Sequence, residues 1–223
     1  MIKQLYWLLW KDALLEIRRR ESLMSMFFFG VSLLFLFNFA FEIPGDEVAR
    51  MAPGLLWLAF MFTGTLVLMH LFQGDKDGSC LEALLLAPMD RGAYYLAKVL
   101  FNLSLMVLLE LVVLPLFAIL FNLDLWHLLP TLMFYIFLGT VGFCVVGVLF
   151  SGVTLRARAR ELLLPLLLFP LMIPVLLATV RTMEIVLRSG ELQELLPWLR
   201  LLVGFDVIFL VLGFLLFESV LDG

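Results

Sequence analysis

Charged residues are scarce in this sequence, which excludes a water-soluble enzyme and a nucleic-acid-binding protein. Of its 223 residues only 15% are charged, against about 25% in ordinary soluble domains, while 64% are hydrophobic and the mean hydropathy is +1.11. The net charge of −4 lacks the basic excess with which proteins bind nucleic acid. Cysteine is almost absent too: Cys80 and Cys144 are distant in sequence, so we expect two reduced thiols rather than a disulfide scaffold. The composition predicts an integral membrane protein.

Motifs for nucleotide or metal chemistry are missing as well. The sequence has no G-x-x-x-x-G-K-[ST] loop, so we do not expect the chain to bind ATP in the usual way. His70 and His127 fall near opposite faces of the membrane in the predicted topology and so cannot share a metal ion within one subunit. We therefore predict no catalytic residue, no metal site and no directly bound cofactor.

Six long apolar runs occupy most of the chain. Because a helix rises about 1.5 Å per residue, roughly 20 apolar residues are enough to cross about 30 Å of hydrocarbon. The runs are apolar on every side and do not alternate like the strands of a membrane barrel, so they predict helices. The predicted spans are 22–41, 53–71, 99–121, 130–151, 162–180 and 201–217. The predicted fold is an all-α integral membrane protein with six transmembrane helices over residues 22–217.

Lysine and arginine determine the predicted orientation of these spans. Eleven of the fifteen basic residues lie before the first span, between the second and third, or between the fourth and fifth. Positive residues are enriched on the cytoplasmic side of membrane proteins. Both termini are therefore predicted to be cytoplasmic, with a short tail at 218–223. The first span is longer than a usual signal-peptide core and has no small-residue cleavage site, so we expect it to be retained.

Two amphipathic segments accompany the spans. Residues 1–21 carry apolar residues at helical spacing and end in a basic cluster, which predicts a helix lying in the cytoplasmic membrane interface. A helical extension of the first span into water is the alternative. The predicted apolar face consists of Ile2, Leu5, Leu9, Ala13 and Ile17. Residues 181–200 predict a second interfacial helix on the outer side, with Trp198 at headgroup level.

The connection 72–98 is the longest one on the predicted cytoplasmic side. Ser79 can cap a short helix that carries apolar residues on one side and ends before Pro88. An apolar helix exposed to the cytosol needs a cover, either the bilayer surface or a partner protein. Composition alone leaves both possibilities open.

Polar residues within and beside the spans are the candidates for a functional role. Glu110 lies near the centre of the third span and Asp206 in the outer third of the sixth. Such groups are costly in hydrocarbon: each could line a substrate path or relay protons, or fix helix packing as a hydrogen-bonded carboxyl. The cytoplasmic loop between the fourth and fifth spans contains Arg156, Arg158, Arg160 and Glu161. Small residues on one face of the fourth span, for internal packing or a subunit interface, are Thr140, Cys144, Gly147 and Ser151.

The pattern of charged residues and prolines shows a family resemblance. The segment DGSCLEALLLAPMDRGAYYLAK, at 77–98, resembles the cytoplasmic loop of exporter-type ABC permeases, in which a coupling helix docks on an ATPase subunit. The positions that match its (E/D)-x-G-x-L-E-x-L-L-x-x-P-like pattern are Asp77, Gly78, Leu81, Glu82, Leu84, Leu85 and Pro88. Within that group the chain is most similar to the CcmB family, in stretches at 11–21, 81–91, 111–122, 155–178 and 205–218.

The resemblance implies a non-catalytic permease subunit in the bacterial inner membrane. Its implied partners are a CcmA-like ABC ATPase subunit, a second copy of the chain, small C and D membrane subunits and a haem chaperone in the periplasm. ATP bound and hydrolysed by the partner would drive export of haem as cargo, or release of the haem-loaded chaperone in cytochrome c maturation. Two alternatives belong to other classes: a partner-independent proton-coupled carrier that uses Glu110, and a non-transporting membrane scaffold for haem ligation.

Overall fold

The computed structural model describes residues 2–18, 21–41, 43–45, 47–72, 90–123, 127–155, 157, 159–188 and 192–222. Within these ranges the chain forms seven α-helices and no β-strand. They are α1 (Ile2–Arg18), α2 (Glu21–Ala40), α3 (Val48–His70), α4 (Arg91–Leu120), α5 (Leu129–Val153), α6 (Arg160–Leu187) and α7 (Leu192–Asp222). Helices α2 to α7 are each long and apolar enough to cross a membrane, which confirms the predicted all-α fold with six transmembrane helices.

Five of the six transmembrane helices, α3 to α7, are longer than their predicted spans, because hydropathy marks the apolar stretch and not the whole helix. α4 begins earlier than predicted, at Arg91, where Asp90 accepts hydrogen bonds from the backbone N–H groups of Gly92 (2.9 Å) and Ala93 (3.3 Å). A cap of this kind satisfies helix donors that have no partner within the helix. The last residues of the predicted loop 72–98 therefore belong to α4.

The predicted outer segment 181–200 does not form a helix of its own. Its first part completes α6 and its second part begins α7. On α6, Glu184 pairs with Arg181 at 2.8 Å and with Arg188 at 3.5 Å. Ion pairs at i,i+3 and i,i+4 stabilise a helix. The polar residues that suggested a separate interfacial helix therefore continue the transmembrane helix α6. α7 likewise continues past the predicted end of the sixth span and ends at Asp222, so most of the predicted tail 218–223 belongs to this helix.

α5 lies at the centre of the bundle and contacts α3, α4, α6 and α7. Small residues allow this close approach: a Cβ added at Gly139 would overlap Trp57 of α3 and Thr179 of α6. In lipid, helices associate mainly through such packing. The predicted small-residue face therefore serves internal packing. Its members Thr140, Cys144, Gly147 and Ser151 are all buried.

α1 has two apolar faces, whereas the sequence predicts one. It packs against α4, and the face with Leu8 and Asp12 is buried. The opposite face is exposed and carries Tyr6, Trp7, Trp10, Leu14 and Ile17. The predicted face is divided between them: Leu5, Leu9 and Ala13 are half-buried, and Ile17 is 60% exposed. The difference arises from Asp12. The polarity pattern of the sequence predicts that Asp12 faces water, but it is buried against Lys98 of α4.

Candidate functional site

The predicted docking residues lie outside the part of the chain that the structure describes. They are Asp77, Gly78, Leu81, Glu82, Leu84, Leu85 and Pro88, and Arg156 and Arg158 of the basic loop lie outside it as well. The structure does describe the helix ends that carry this segment, because α3 ends shortly before it and α4 begins shortly after it. We call their surroundings the basal junction. It consists of Asp12, Leu68, Leu71, Phe72, Tyr94, Lys98, Ser151, Arg160 and Phe217.

Aromatic rings pack the described residues on either side of segment 73–89, Phe72 and the start of α4, into the bundle. The ring of Phe72, which has no exposed surface, lies 6.1 Å from that of Tyr94 on α4 and 6.4 Å from that of Phe217 on α7. Phe217 in turn lies 5.1 Å from Tyr95. Aromatic rings paired at these distances stabilise the fold by more than the burial of their apolar surface alone provides. The end of α3, the start of α4 and the end of α7 therefore meet in one packed cluster.

Lys98 is the most deeply buried charge of the basal junction, at 1% exposure. Its Nζ lies 2.9 Å from Oδ2 of Asp12 on α1 and donates to the backbone carbonyl of Leu71 at 3.4 Å. It also lies over the rings of Phe72 (5.4 Å) and Tyr94 (5.5 Å). A buried ammonium is tolerated only when paired, and an aromatic face adds a favourable cation–π contact. This one side chain therefore connects α1, α4 and the chain just beyond α3.

Arg160 is the predicted basic-loop residue that the structure brings into the junction. Its Nη2 donates to Ser151 Oγ at 2.8 Å and to the carbonyl of Leu68 at 3.1 Å, and Ser151 Oγ itself donates to that carbonyl at 2.8 Å. The last carbonyls of a helix lack partners within it and carry its negative dipole end. A cation at this position therefore caps α3. Glu161, the neighbour of Arg160, is exposed in the first turn of α6.

Sequence reasoning missed the pairing of Asp12 with Lys98. Lys98 has the position of an ordinary basic residue flanking a span, and Asp12 belongs to the polar positions of an amphipathic helix. One signal was available, because Lys98 precedes Asn102 by four residues and the two share a face of α4. Asn102 is fully buried and donates from Nδ2 to Cys144 Sγ at 3.3 Å, so this face is directed into the bundle.

Glu110 takes part in the contact between α4 and α5. It is buried and accepts a hydrogen bond from Oγ1 of Thr140 on α5. The same two helices are joined by Tyr95, whose hydroxyl donates to the carbonyl of Val145 at 2.9 Å. A row of hydrogen bonds along one helix contact is the expected use of polar groups that stabilise packing in lipid. This geometry favours a packing role for Glu110.

Asp206 is buried on α7 and directed at Gly142 of α5, where an added Cβ would come within 2.7 Å of its Oδ1. Neither of its carboxyl oxygens has a hydrogen-bond partner among the described residues. Thr140, the partner of Glu110, is two positions from Gly142, which corresponds to about 200° around α5. The two carboxyl groups therefore approach α5 from different sides. Within the described ranges no hydrogen bond connects them, so the structure does not assemble them into one relay.

An open groove of about 550 Å³ lies at the opposite end of the bundle, between the end of α6 and the start of α7. Its lining consists of Arg181, Glu184, Ile185, Arg188, Glu194 and Trp198. Because two glutamates balance the two arginines, these side chains give the groove no net charge with which to select an ion. Over the part of the chain that the structure describes, no group of three or more His, Cys, Asp or Glu side chains could hold a metal ion.

The helices and the basal junction together define a multi-pass membrane protein, and the polar contacts of the junction join one helix to another. Comparison with known proteins identifies the family. The family model described as CcmB protein matches residues 3–221, so the chain belongs to the CcmB family.

Individual relatives agree with the family match. Heme exporter protein B of Pseudomonas aeruginosa is 31% identical over 192 residues, which are 86% of this chain and 82% of that protein. The protein of the same name from Haemophilus influenzae is 28% identical over 78% of both chains. That from Rhodobacter capsulatus is 31% identical over 73% of this chain and 76% of its own length. The similarity thus extends over most of each protein.

Proposed function

We propose that this chain is the transmembrane subunit of an ABC transporter in the bacterial inner membrane and serves haem export. A separate CcmA-like ATPase subunit hydrolyses ATP, and this chain converts the ATPase movement into a movement of its helices. The name of the relatives, heme exporter protein B, supports haem as the cargo. Direct export of haem and release of a haem-loaded periplasmic chaperone in cytochrome c maturation both fit this role. A second copy of the chain and the small C and D membrane subunits complete the proposed complex.

One observation supports this function above others: both helix ends that carry segment 73–89 are fastened into the bundle. Phe72 before the segment is packed between α4 and α7, and Asp90 after it caps α4. If the loop were attached loosely, a push on it would move the loop without moving the helices. Because these helix ends are packed, a push on 73–89 displaces α3 and α4 themselves.

The movement then has a direct route to α7. A Cβ added at Gly213 of α7 would overlap the Tyr95 ring, and one added at Gly92 of α4 would overlap Phe214 of α7. Interfaces packed this closely resist local deformation and transmit displacement as rigid elements. We therefore propose that α4 and α7 move together when the ATPase dimer closes, and that the two copies of the chain rearrange along their outer surfaces.

A pull-down in detergent tests whether segment 73–89 holds the ATPase. Glu82→Lys and Leu85→Asp change a charge and an apolar contact on the proposed docking helix, so each should release the ATPase from the purified chain. Glu194→Lys is the matched control, because it reverses an exposed glutamate at the opposite end of the bundle. Undiminished capture by both docking variants would remove the proposed docking site.

The two alternative functions predict different results in the same system. A proton-coupled carrier that uses Glu110 would transport in liposomes without any ATPase. A scaffold for haem ligation would bind its partners, but the ATP turnover of the complex would not respond to changes in segment 73–89. The hydrogen bond from Thr140 to Glu110 supports neither, because it belongs to the packing of α4 on α5.

A further inference from the structure

We propose that Lys98 and Arg160 act as positioning residues that attach the end of α3 to the rest of the bundle. Through them a displacement of segment 73–89 reaches α1, α5 and α6, none of which is joined to that segment by the chain. The inference rests on the proposed function, because it concerns the path that a push by the ATPase takes.

Arg160 provides the attachment to α5 and α6. It is the first residue of α6, and Ser151 lies in the last turn of α5. Both side chains donate to the same acceptor, the carbonyl of Leu68 in the last turn of α3, and Arg160 also donates to Ser151. Ser151 is fully buried, so water does not compete for this acceptor from its side. The end of α3 therefore cannot shift without either moving the α5–α6 connection or breaking these bonds.

Lys98 provides the attachment to α1 and α4. Its ammonium binds the carbonyl of Leu71, just beyond α3, and the carboxylate of Asp12 on α1. Hydrogen bonds to charged groups are stronger than those between neutral ones, and a cation near the C-terminus of a helix is stabilised by the helix dipole. Leu68 and Leu71 are three residues apart in the chain. Cations from two different helices, α4 and α6, thus hold a single turn of backbone immediately before segment 73–89.

A purely structural role would be limited to capping α3, and it makes a different prediction from the proposed role. Loss of a cap loosens the end of α3 in every state of the protein. Loss of a positioning contact also changes which helices respond when nucleotide binds to the ATPase. The decisive measurement is therefore the spatial extent of the nucleotide-dependent change in a complex that still binds ATP.

The experiment uses hydrogen–deuterium exchange of the full chain with its ATPase in lipid nanodiscs, with ADP and with a non-hydrolysable ATP analogue. In the unaltered complex we expect the analogue to change exchange at the end of α3, at the start of α4, at the start of α6 and in α1. In Arg160→Gln the α3 and α4 changes should persist and the α6 change should disappear. Amide exchange in the last turn of α3 should also become faster, by about tenfold to a hundredfold, since a charged hydrogen bond to that turn is lost.

Matched variants keep the result interpretable. Arg181→Gln removes an arginine from the same helix at its other end, and it should leave all these changes intact. Arg160→Lys retains a cation and should restore part of the α6 response. Because Lys98→Met alone would leave the buried Asp12 with only the partly exposed Lys11 as a partner, the variant for the second attachment is Asp12→Asn combined with Lys98→Met. In that variant the response of α1 should disappear while that of α6 persists.

Two results would overturn the inference, and they are distinguishable. If Arg160→Gln behaves like Arg181→Gln and the α6 response is retained, Arg160 does not transmit the movement, although the proposed function stands. If the unaltered chain captures no ATPase at all, the proposed function itself fails and the transmission role fails with it.

Discussion

The ammonium nitrogen of Lys98 lies 2.9 Å from Oδ2 of Asp12, and neither side chain is more than 6% exposed. This ion pair joins the N-terminal helix to the start of a transmembrane helix, in the same junction that carries segment 73–89. An unpaired charge at such a depth is costly, whereas a hydrogen-bonded pair is tolerated. Asp12 therefore determines which face of α1 is turned towards the bundle.

The first prediction concerns the stability of this pair. Lys98→Met removes the buried partner of Asp12 and leaves only Lys11, which is 27% exposed and lies 3.3 Å from Oδ1. The free energy of unfolding should therefore fall by about 3 kcal/mol, the low end of the cost of breaking a buried pair. The combination of Asp12→Asn with Lys98→Met should recover a large part of that loss, because no charge remains buried. Thermal unfolding in detergent measures both. Arg181→Gln, in a pair whose arginine is half-exposed, should cost no more than about 1 kcal/mol. Equal losses in Lys98→Met and Arg181→Gln would contradict the burial of the pair.

The second prediction compares two glycines in transmembrane helices. Gly139→Ala places a methyl group against the rigid indole of Trp57 and against Thr179, so it should destabilise the protein by about 1–3 kcal/mol. Gly204→Ala on α7 is the control, because an added Cβ there meets no atom within 4 Å. Alanine is also the better helix former, so Gly204→Ala should be neutral or slightly stabilising. A destabilising Gly204→Ala together with a harmless Gly139→Ala would show that the helices pack differently.

The third prediction separates packing from proton transfer at Glu110. Glutamine has nearly the same shape as glutamate and can accept the hydrogen bond from Thr140, so Glu110→Gln should retain folding and function. Glu110→Leu removes the acceptor and leaves the buried Thr140 hydroxyl without it, which should cost about 1–3 kcal/mol of stability. The readouts are thermal unfolding and, under the proposed role in cytochrome c maturation, the assembly of c-type cytochromes in cells that contain only the variant. Loss of cytochrome assembly in a stably folded Glu110→Gln protein would favour the proton-relay reading.

The fourth prediction concerns the exposed face of α1. Tryptophan and tyrosine prefer the boundary between headgroups and hydrocarbon, so we expect Trp7 and Trp10 to lie in the membrane interface. In nanodiscs that contain brominated lipid, replacing both by phenylalanine should remove much of the lipid-quenched fluorescence. Trp57→Phe is the control, because Trp57 is buried inside the bundle. Unquenched Trp7 and Trp10 would indicate instead that α1 extends into water.

The position of the transmembrane helices was predictable from local composition, because hydrocarbon accepts only long apolar segments with internally paired backbone. The ends were less predictable. Asp90 and Arg91 interrupt the hydropathy signal, yet they begin α4, because a capping carboxylate and a charged first turn are compatible with a helix. The same applies to Arg181, Glu184 and Arg188, whose mutual pairing keeps a polar stretch helical.

The polar residues show the limit of local reasoning. Glu110 and Asp206 are conspicuous in the sequence because each interrupts an apolar run, and both are indeed buried. The residues that they face are not visible there: Thr140 and Gly142 lie on another helix, and which residues meet depends on how the helices rotate and slide against each other. Arg160 was recognisable as a basic residue, but its acceptor, a backbone carbonyl of α3, has no signature in any side-chain pattern.

Composition and apolar run length alone determined that this is a helical membrane protein with six spans, since the cost of exposing peptide groups to lipid acts on each segment separately. The family was also recognisable from the order of charges and prolines along the chain. Only the tertiary structure decided that Asp12 is turned inward and that Lys98 and Arg160 hold the end of α3. The physical reason is that a charged side chain can be buried only where a partner of opposite charge or a hydrogen-bond acceptor meets it. Here these partners come from helices distant in the sequence.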